Sequence, residues 1–255
     1  MENLLEVKNL GISFGGLRAV DGFHISIEKG QLYGLIGPNG AGKTTVFNML
    51  TGVYTPNDGS ITLDGVDITG KKTIDINKAG IARTFQNIRL FSKLSVFENV
   101  IIAKHMRAKQ NFFSAALHLN GAEEKRMREE TMALLEEQGL DKYKDDVAGS
   151  LPYGIQRRLE IARALATEPK LLLLDEPAAG MNPQETLELA DFIVEIRKKY
   201  DLSVFLVEHH MDLVMNISDR IYVLDFGKLI AEGVPSEIQN NVKVIDAYLG
   251  VSEDE

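Results

Sequence analysis

The chain has 255 residues, 44% of them hydrophobic and 25% charged, so it can bury a large core and lies at the upper end of what one domain holds. Its net charge of −9 argues against a protein that coats nucleic acid. No apolar run approaches the roughly 18 residues that span a bilayer, and the first residues lack a signal-peptide pattern. We therefore expect a soluble, unexported chain. The absence of cysteine excludes disulfide bonds and thiolate metal sites.

The first predicted core strand, Gln31–Ile36, leads directly into a glycine-rich segment, Gly37–Thr45. This segment reads GPNGAGKTT and fits the pattern G-x-x-x-x-G-K-[ST]. Such glycines let the backbone curl so that its N–H groups and the dipole of the next helix face phosphate oxygens. Lys43 would reach the β- and γ-phosphates of a nucleoside triphosphate, and Thr44 would ligate Mg²⁺. The residues predicted to contact the nucleotide here are Gly37, Pro38, Asn39, Gly40, Ala41, Gly42, Lys43, Thr44 and Thr45.

The stretch from Ser95 to Gly149 interrupts the series of strands with a mostly helical pattern. It contains the charge run EEKRMREE, which is typical of a solvated helix face with pairs such as Glu124–Arg128. The next stretch, Ser150–Leu165, begins with a turn-like Pro-Tyr-Gly and continues as a basic helix with an apolar stripe. We expect the N–H groups at the start of that helix to face something negative.

Two further apolar strands are predicted at Leu171–Asp175 and at Val204–Glu208. Continuous apolar runs of this length favour a parallel sheet that is buried on both faces. Between them, apolar residues at helical spacing predict a covering helix over Pro183–Lys199, with proline at its permitted first position. The fold class is therefore α/β.

Two adjacent acidic side chains, Asp175 and Glu176, lie at the end of the first of these two strands. Asp175 would hold Mg²⁺ through its water shell, and Glu176 would polarise an attacking water. The alternative interpretation of Asp175 and Glu176 is that they are ordinary solvated carboxylates. His209 ends the next strand and would contact the γ-phosphate, although a lone histidine is more often structural; His210 has no assigned role.

Two rival triphosphate-binding classes can be tested on the residues. A GTPase should carry an Asn-Lys-x-Asp base reader, but the Asn-Lys pair at Asn77 continues as Ala-Gly, so that class is excluded. A small-molecule kinase would not ordinarily need both LPYGIQRR and DEPAAGMNP.

Taken in order, the motifs resemble the ATP-binding subunits of ABC transporters over essentially the whole chain. The resemblance implies that Phe14 stacks on adenine, that Gln86 is the Q-loop glutamine, that LPYGIQ is the signature, that AGMN is the D-loop and that His209 is the switch histidine. Stretches such as RRLEIARALA and the ending IDAYLG resemble more narrowly the LivG-type ATPases of branched-chain amino-acid importers.

The family implies a single ABC domain over 1–255 with a RecA-like P-loop NTPase core, a mainly parallel sheet, an N-terminal antiparallel β region and an inserted helical subdomain. The core is expected at 1–86 and 166–255, and the helical subdomain at 87–165. The implied catalytic residues are Glu176, His209, Gln86 and Lys43. The implied Mg²⁺ ligands are Thr44, Gln86 and Asp175. The implied ATP contacts outside the P-loop are Phe14, Val20, Leu151, Pro152, Tyr153, Gly154, Ile155 and Gln156.

The family also implies an assembly. Two ATPase chains would pair head to tail, so that the signature of one faces the γ-phosphate held by the other. We expect transmembrane permease subunits, an indirect link to a substrate-binding protein, and a second ATP-binding subunit that forms a heterodimer in the complex; a homodimer stays open for the isolated chain. The chain would then lie peripherally on the cytoplasmic face of the cell membrane, with Arg83–Val100 as its docking segment. The alternative is a soluble non-transport ABC ATPase that acts on nucleic acid or ribosomes.

Two departures from the family pattern concern the contact between chains. The usual signature Leu-Ser-Gly-Gly-Gln has Pro152 in place of serine, Tyr153 in place of the first glycine and Ile155 in place of glutamine. The D-loop ends in Asn182 where aspartate is common. We therefore expect a weakened contact with the partner's nucleotide.

Overall fold

The computed structural model describes residues 2–106 and 121–249. The chain divides into two compact units, which are Met1–Gln86 with Lys170–Glu255 (unit 1) and Asn87–Pro169 (unit 2). The sequence places the helical subdomain at 87–165.

Unit 1 contains a six-stranded sheet in which most neighbours are parallel. Its strands are β3 (Leu32–Ile36), β6 (Ile81–Arg83), β7 (Leu171–Asp175), β8 (Ser203–Val207), β9 (Arg220–Asp225) and β10 (Lys228–Gly233). They lie in the order β10-β9-β3-β8-β7-β6, and β10 alone runs antiparallel to its neighbour. Every residue of β3, β7 and β8 is buried, as expected from apolar strands covered on both faces.

The remaining strands of unit 1 form the predicted antiparallel region. They are β1 (Asn3–Phe14), β2 (Leu17–Glu28), β4 (Asp58–Leu63) and β5 (Val66–Asp67), in the order β2-β1-β4-β5. Alternating apolar residues on β1 and β2, such as Leu5 and Ile27, are fully buried and bind this sheet to the rest of the core.

Helices cover the sheets of unit 1. They are α1 (Lys43–Leu50), α2 (Thr73–Ala79), α6 (Pro183–Lys199), α7 (Met211–Ile217), α8 (Pro235–Gln239) and α9 (Val242–Leu249). The bounds of α6 agree with its sequence pattern because Asn182 caps it in a reciprocal capping box with Glu185. On α1, the Phe47 ring packs 5.2 Å from the Phe205 ring of β8, centroid to centroid, which fixes α1 against the sheet.

Unit 2 is helical in its described residues, as the insertion pattern predicts. It contains α3 (Val96–His105), α4 (Gly121–Glu137) and α5 (Tyr153–Leu165), with short 3₁₀ turns at Asp141–Tyr143 and Ala148–Ser150. Ser95 and Glu98 form a capping box at the start of α3. On α4, Arg128 donates to Glu124 at 3.1 Å, which is the predicted exposed pair.

Candidate functional site

The carboxyl ends of four adjacent strands in unit 1 meet at one edge of the sheet. The loop after β3 is the P-loop, β6 ends three residues before Gln86, β7 ends at Asp175, and His209 lies two residues after β8. Because parallel strands end on the same side, this order gathers residues that are distant in sequence.

The P-loop needs glycine at two of its positions. A Cβ at Gly37 would lie 1.9 Å from the carbonyl oxygen of Leu224, so only glycine allows this close approach. Gly42, at φ 105°, is the N-cap of α1 and turns the chain into the helix in a left-handed conformation. The loop therefore presents backbone N–H groups at a helix start, as phosphate binding requires.

Lys43 is buried, with 6% of its surface exposed. Its ammonium donates to the carbonyl oxygens of Gly37 at 2.7 Å and Pro38 at 2.9 Å. Burial lowers the pKa of Lys43, whereas the nearby carboxylates of Glu176 and Asp175 favour its charged form. The lysine is thus held at the loop where the sequence places a phosphate.

Asp175 makes an ion pair that the sequence analysis missed. Its Oδ2 accepts from Arg83 Nη2 at 2.6 Å, and both side chains are 5% exposed. The other guanidinium nitrogen of Arg83 donates to Asn48 Oδ1 at 2.8 Å and to Thr51 Oγ1 at 3.2 Å, which links the strand ends to α1. The available signal was a single arginine ending the short apolar strand β6.

Two of the predicted residues, Gln86 and His209, contact the carboxylate of a third, Glu176. Gln86 Nε2 donates to Glu176 Oε2 at 2.6 Å, and His209 Nε2 lies 2.9 Å from Glu176 Oε1. Glu176 itself has φ 46°, a left-handed conformation that side-chain-bearing residues rarely adopt and that is typical of strained functional positions.

Phe14 and Val20 lie on the first two strands of the antiparallel sheet, β1 and β2. The Phe14 ring is 43% exposed and meets the Tyr54 ring edge-on, with centroids 5.1 Å apart. Val20 is buried, and its Cγ2 lies 3.4 Å from the position that a Cβ on Gly42 would take. Val20 therefore supports the P-loop, and Phe14 offers an exposed aromatic face.

The signature residues begin α5 in unit 2. Pro152 is the N-cap and is exposed, and its carbonyl accepts the N–H groups of Ile155 and Gln156, each at 3.0 Å. The Gln156 amide turns back to the carbonyl of Leu151 at 2.8 Å. A Cβ on Gly154 would meet no atom within 4 Å, so a side chain could be placed at this position without a clash.

Tyr153, which stands where glycine is usual, is anchored one helical turn away. Its hydroxyl accepts from Arg157 Nη2 at 3.2 Å, and Arg157 pairs with Glu160 at 2.6 Å with both charges fully buried. Glu160 also accepts the N–H of Arg89 at 3.2 Å. The unusual signature is therefore built into a hydrogen-bonded network within unit 2.

The segment predicted to dock a permease, 83–100, contributes both core and surface residues to unit 2. Val96 is fully buried, whereas Phe91 is half exposed. Phe97 lines a cleft of about 550 Å³ together with residues of α4 and the following turn, namely Arg128, Glu129, Met132, Ala133, Glu136, Lys144 and Asp145. The cleft is therefore lined by both apolar and charged side chains.

Metal binding at the sheet edge would depend on a nucleotide. Within residues 2–106 and 121–249, no group of three or more His, Asp or Glu side chains could hold a metal ion by itself. The predicted ligands Thr44, Gln86 and Asp175 supply a hydroxyl, an amide oxygen and a carboxylate, all oxygen donors that suit Mg²⁺ when phosphate oxygens complete its shell. The residues therefore fit Mg²⁺ bound with a triphosphate.

None of the helices in residues 2–106 and 121–249 has the length and hydropathy of a membrane span.

Comparisons with known proteins agree with the geometry. A family model described as "ABC transporter" matches residues 20–179, and one described as "Branched-chain amino acid ATP-binding cassette transporter" matches residues 228–254. The chain is 46% identical over 249 residues to the high-affinity branched-chain amino acid transport ATP-binding protein BraF of Pseudomonas aeruginosa, covering 97% of this chain and 98% of BraF. It is 46% identical over 251 residues to the corresponding protein LivG of Escherichia coli, with the same coverage.

Solved structures give the same result for the fold. An ATP-binding cassette of an ABC transporter in its ADP conformation superposes with a TM-score of 0.86 at 31% identity, covering 98% of this chain and 100% of the other. A nucleotide-free cassette superposes with a TM-score of 0.84 at 32% identity, covering 97% and 99%. The predicted P-loop NTPase fold, with its parallel sheet, antiparallel β region and helical insertion, is confirmed.

Proposed function

Because the chain belongs to the family of ABC transporter ATP-binding proteins, we propose that it hydrolyses ATP with Mg²⁺ to power the import of branched-chain or other hydrophobic amino acids. The observation that carries the site assignment is the convergence of Gln86 and His209 on the carboxylate of Glu176, at the sheet edge that also holds Lys43.

In this proposal the P-loop amides and Lys43 hold the phosphates, and Glu176 accepts a proton from the attacking water. Each carboxylate oxygen has two lone pairs, so Oε1 can keep its contact with His209 and still accept from water. His209 and Gln86 orient that carboxylate. Bound Mg²⁺ would neutralise developing charge on the phosphate oxygens, with Thr44, Gln86 and Asp175 holding it. Phe14 would stack on the adenine.

The proposed assembly places the chain peripherally at the cytoplasmic face of the membrane. Its proposed partners are transmembrane permease subunits and a second ATP-binding subunit, whose nucleotide would face the start of α5. A heterodimer is proposed in the complex and a homodimer in isolation, with a substrate-binding protein acting through the permease. The cleft at Phe97, continuous with the docking segment, supports a permease contact. The alternative, a soluble ATPase acting on nucleic acid or ribosomes, is not supported by relatives of equal length that are transport proteins.

The experiment is uptake by the assembled transporter. The chain is co-expressed with its permease, its second ATPase subunit and the substrate-binding protein, and reconstituted in vesicles with ATP inside. We expect ATP-dependent uptake of labelled leucine, isoleucine or valine, and none when lysine or glutamate is the labelled solute. Uptake of leucine without ATP, or no ATP hydrolysis with Mg²⁺, would refute the proposal.

A further inference from the structure

Glu208, just after β8, is a buried carboxylate for which the proposed hydrolysis chemistry has no use. It is 1% exposed. Its Oε1 accepts the backbone N–H of Ala178 at 2.7 Å. Its Oε2 accepts the backbone N–H groups of His209 at 2.8 Å and His210 at 3.1 Å, and lies 3.0 Å from His210 Nδ1. The two oxygens therefore bind two different segments of the chain.

The segment bound by Oε1 is the turn that carries Glu176. The N–H of Ala179 donates to the carbonyl of Glu176 at 3.1 Å, and the N–H of Met181 donates to the carbonyl of Ala178 at 3.1 Å. Glu176 begins this turn in its left-handed conformation, which persists only where the surroundings hold it. The bond from Ala178 to Glu208 is part of that support.

The segment bound by Oε2 carries the histidine that touches Glu176. His209 donates its backbone N–H to Glu208, while its ring Nε2 lies 2.9 Å from Glu176 Oε1. One carboxylate thus binds the backbone on both sides of the contact between His209 and Glu176. A buried carboxylate with this many donors is held rigidly, because moving it would leave several polar groups unpaired.

We propose that Glu208 is a positioning residue for Glu176: it fixes the turn that carries Glu176 and the loop that carries His209 in register, so that imidazole and carboxylate meet. The inference rests on the proposed role of Glu176 in ATP hydrolysis. It gives the neighbouring His210 a smaller part, as one of several donors to the same carboxylate.

The decisive variant is Glu208→Gln. Glutamine has the same length but a single acceptor oxygen, so its NH₂ group must face the N–H of Ala178 or those of His209 and His210. We expect kcat for ATP hydrolysis in the assembled transporter to fall about 10- to 100-fold, since small misplacements of a reacting group have effects of this size. The dissociation constant for ATP should stay within about threefold of the wild-type value, because the P-loop follows a different strand.

The control is His210→Ala. It removes one donor to Glu208 and leaves the backbone hydrogen bonds, so its kcat should stay within about threefold of the wild type.

A second readout, NMR of the isotope-labelled full chain, does not depend on turnover. In Glu208→Gln the amide resonances of Ala178, or those of His209 and His210, should shift and exchange faster with solvent, and the ring-nitrogen resonance of His209 should move. Should this variant not fold, Glu208→Asp keeps the charge but is too short to reach both segments, and the same changes are expected.

A merely structural role predicts a different result. A lower melting temperature with kcat per folded molecule unchanged would overturn the inference, while a wild type that hydrolyses ATP leaves the proposed function standing. If the wild type itself lacks ATPase activity, the proposed function fails, and the NMR comparison then decides: an unchanged His209 ring resonance in Glu208→Gln would overturn the positioning role.

Discussion

Glu176 combines a left-handed backbone with a carboxylate that is contacted from two sides. Replacing it by glutamine keeps the shape and one acceptor oxygen but removes the ability to take up a proton. We expect Glu176→Gln to bind ATP normally, to turn over about 10²- to 10⁴-fold more slowly, and to accumulate an ATP-bound dimer. Single-turnover hydrolysis and size-exclusion chromatography with ATP measure these effects, with Glu188→Gln on the exposed face of α6 as the control. Near-normal turnover would show that another group activates the water.

Lys43 should affect binding more than chemistry. Lys43→Ala removes a charge-assisted contact to phosphate, and such contacts contribute roughly 1.5–3 kcal/mol, so the dissociation constant for ATP should rise about 10- to 150-fold. Equilibrium binding of a fluorescent ATP analogue measures the change. An unaltered dissociation constant would contradict the P-loop assignment.

Sequence motifs could identify Gln86, Glu176 and His209 together, because the order of these motifs along the chain resembles that of the ABC family. Arg83 and Glu208 could not be found in this way. Each is a single charged residue at or just after the end of an apolar strand, and its importance lies in partners 92 and 30 residues away, respectively. Such partners become visible only when the strand order is known.

The start of α5 is the element on which contact between two chains depends. Gly154→Asp should leave the isolated chain folded, because a Cβ there meets no atom within 4 Å. In the assembled transporter its carboxylate would oppose the partner's γ-phosphate and nearly eliminate hydrolysis at that site. Pro152→Ser, which restores a hydroxyl, should maintain or raise ATPase activity. ATPase assays of both variants, in the complex and as the isolated chain, test the assignment; full activity of Gly154→Asp in the complex would show that α5 faces no nucleotide.

The turn between β4 and β5 connects elements through charge. Asp64 there is held mainly by Lys170, which precedes β7, and also by Lys29, which follows β2, and these contacts lower its pKa to about 2 from the ordinary 3.8. A carboxyl group whose pKa is lower in the folded chain than in the unfolded chain stabilises the fold at any pH above its unfolded pKa. That stabilisation is lost as the pH falls from about 4 through 2. Asp64→Asn should therefore lower the urea midpoint at pH 6, and its difference from the wild type should shrink by pH 2.5. A difference that stays constant or grows in acid would rule out this linkage.

The first and last residues of an element could be predicted where its hydrophobic pattern is continuous and periodic. The bounds of α6 agree with its pattern because the capping residues Asn182 and Pro183 are local signals. The bounds and the pairing of β6 were not predicted, since three residues carry no period and its partner, β7, begins 88 residues after β6 ends. Pairing over such a distance is decided by the whole fold.

At the scale of the whole molecule, membrane association should depend on partners. The net charge of the chain is −9, so anionic lipids should not attract it. We expect more of the chain in the membrane fraction when the proposed permease subunits are present than when the chain is expressed alone. Membrane flotation assays measure the distribution, with a Phe97→Asp variant testing the cleft. Equal membrane binding without the permease would contradict the proposed assembly.

The strand order of the six-stranded sheet also determines when β3 can pair with its neighbours during protein synthesis. Among the strands that the structure describes, β3, which precedes the P-loop, pairs with β8 and β9 only, and the first of these begins at Ser203. At 5–20 residues per second, a ribosome needs on the order of 10–30 s to make the intervening chain, and during that time β3 lacks both neighbours. Nascent chains stalled before Ser203 should therefore leave β3 exposed to proteases and chaperones and fail to retain ATP, because the nucleotide loop matures among the last parts of the fold.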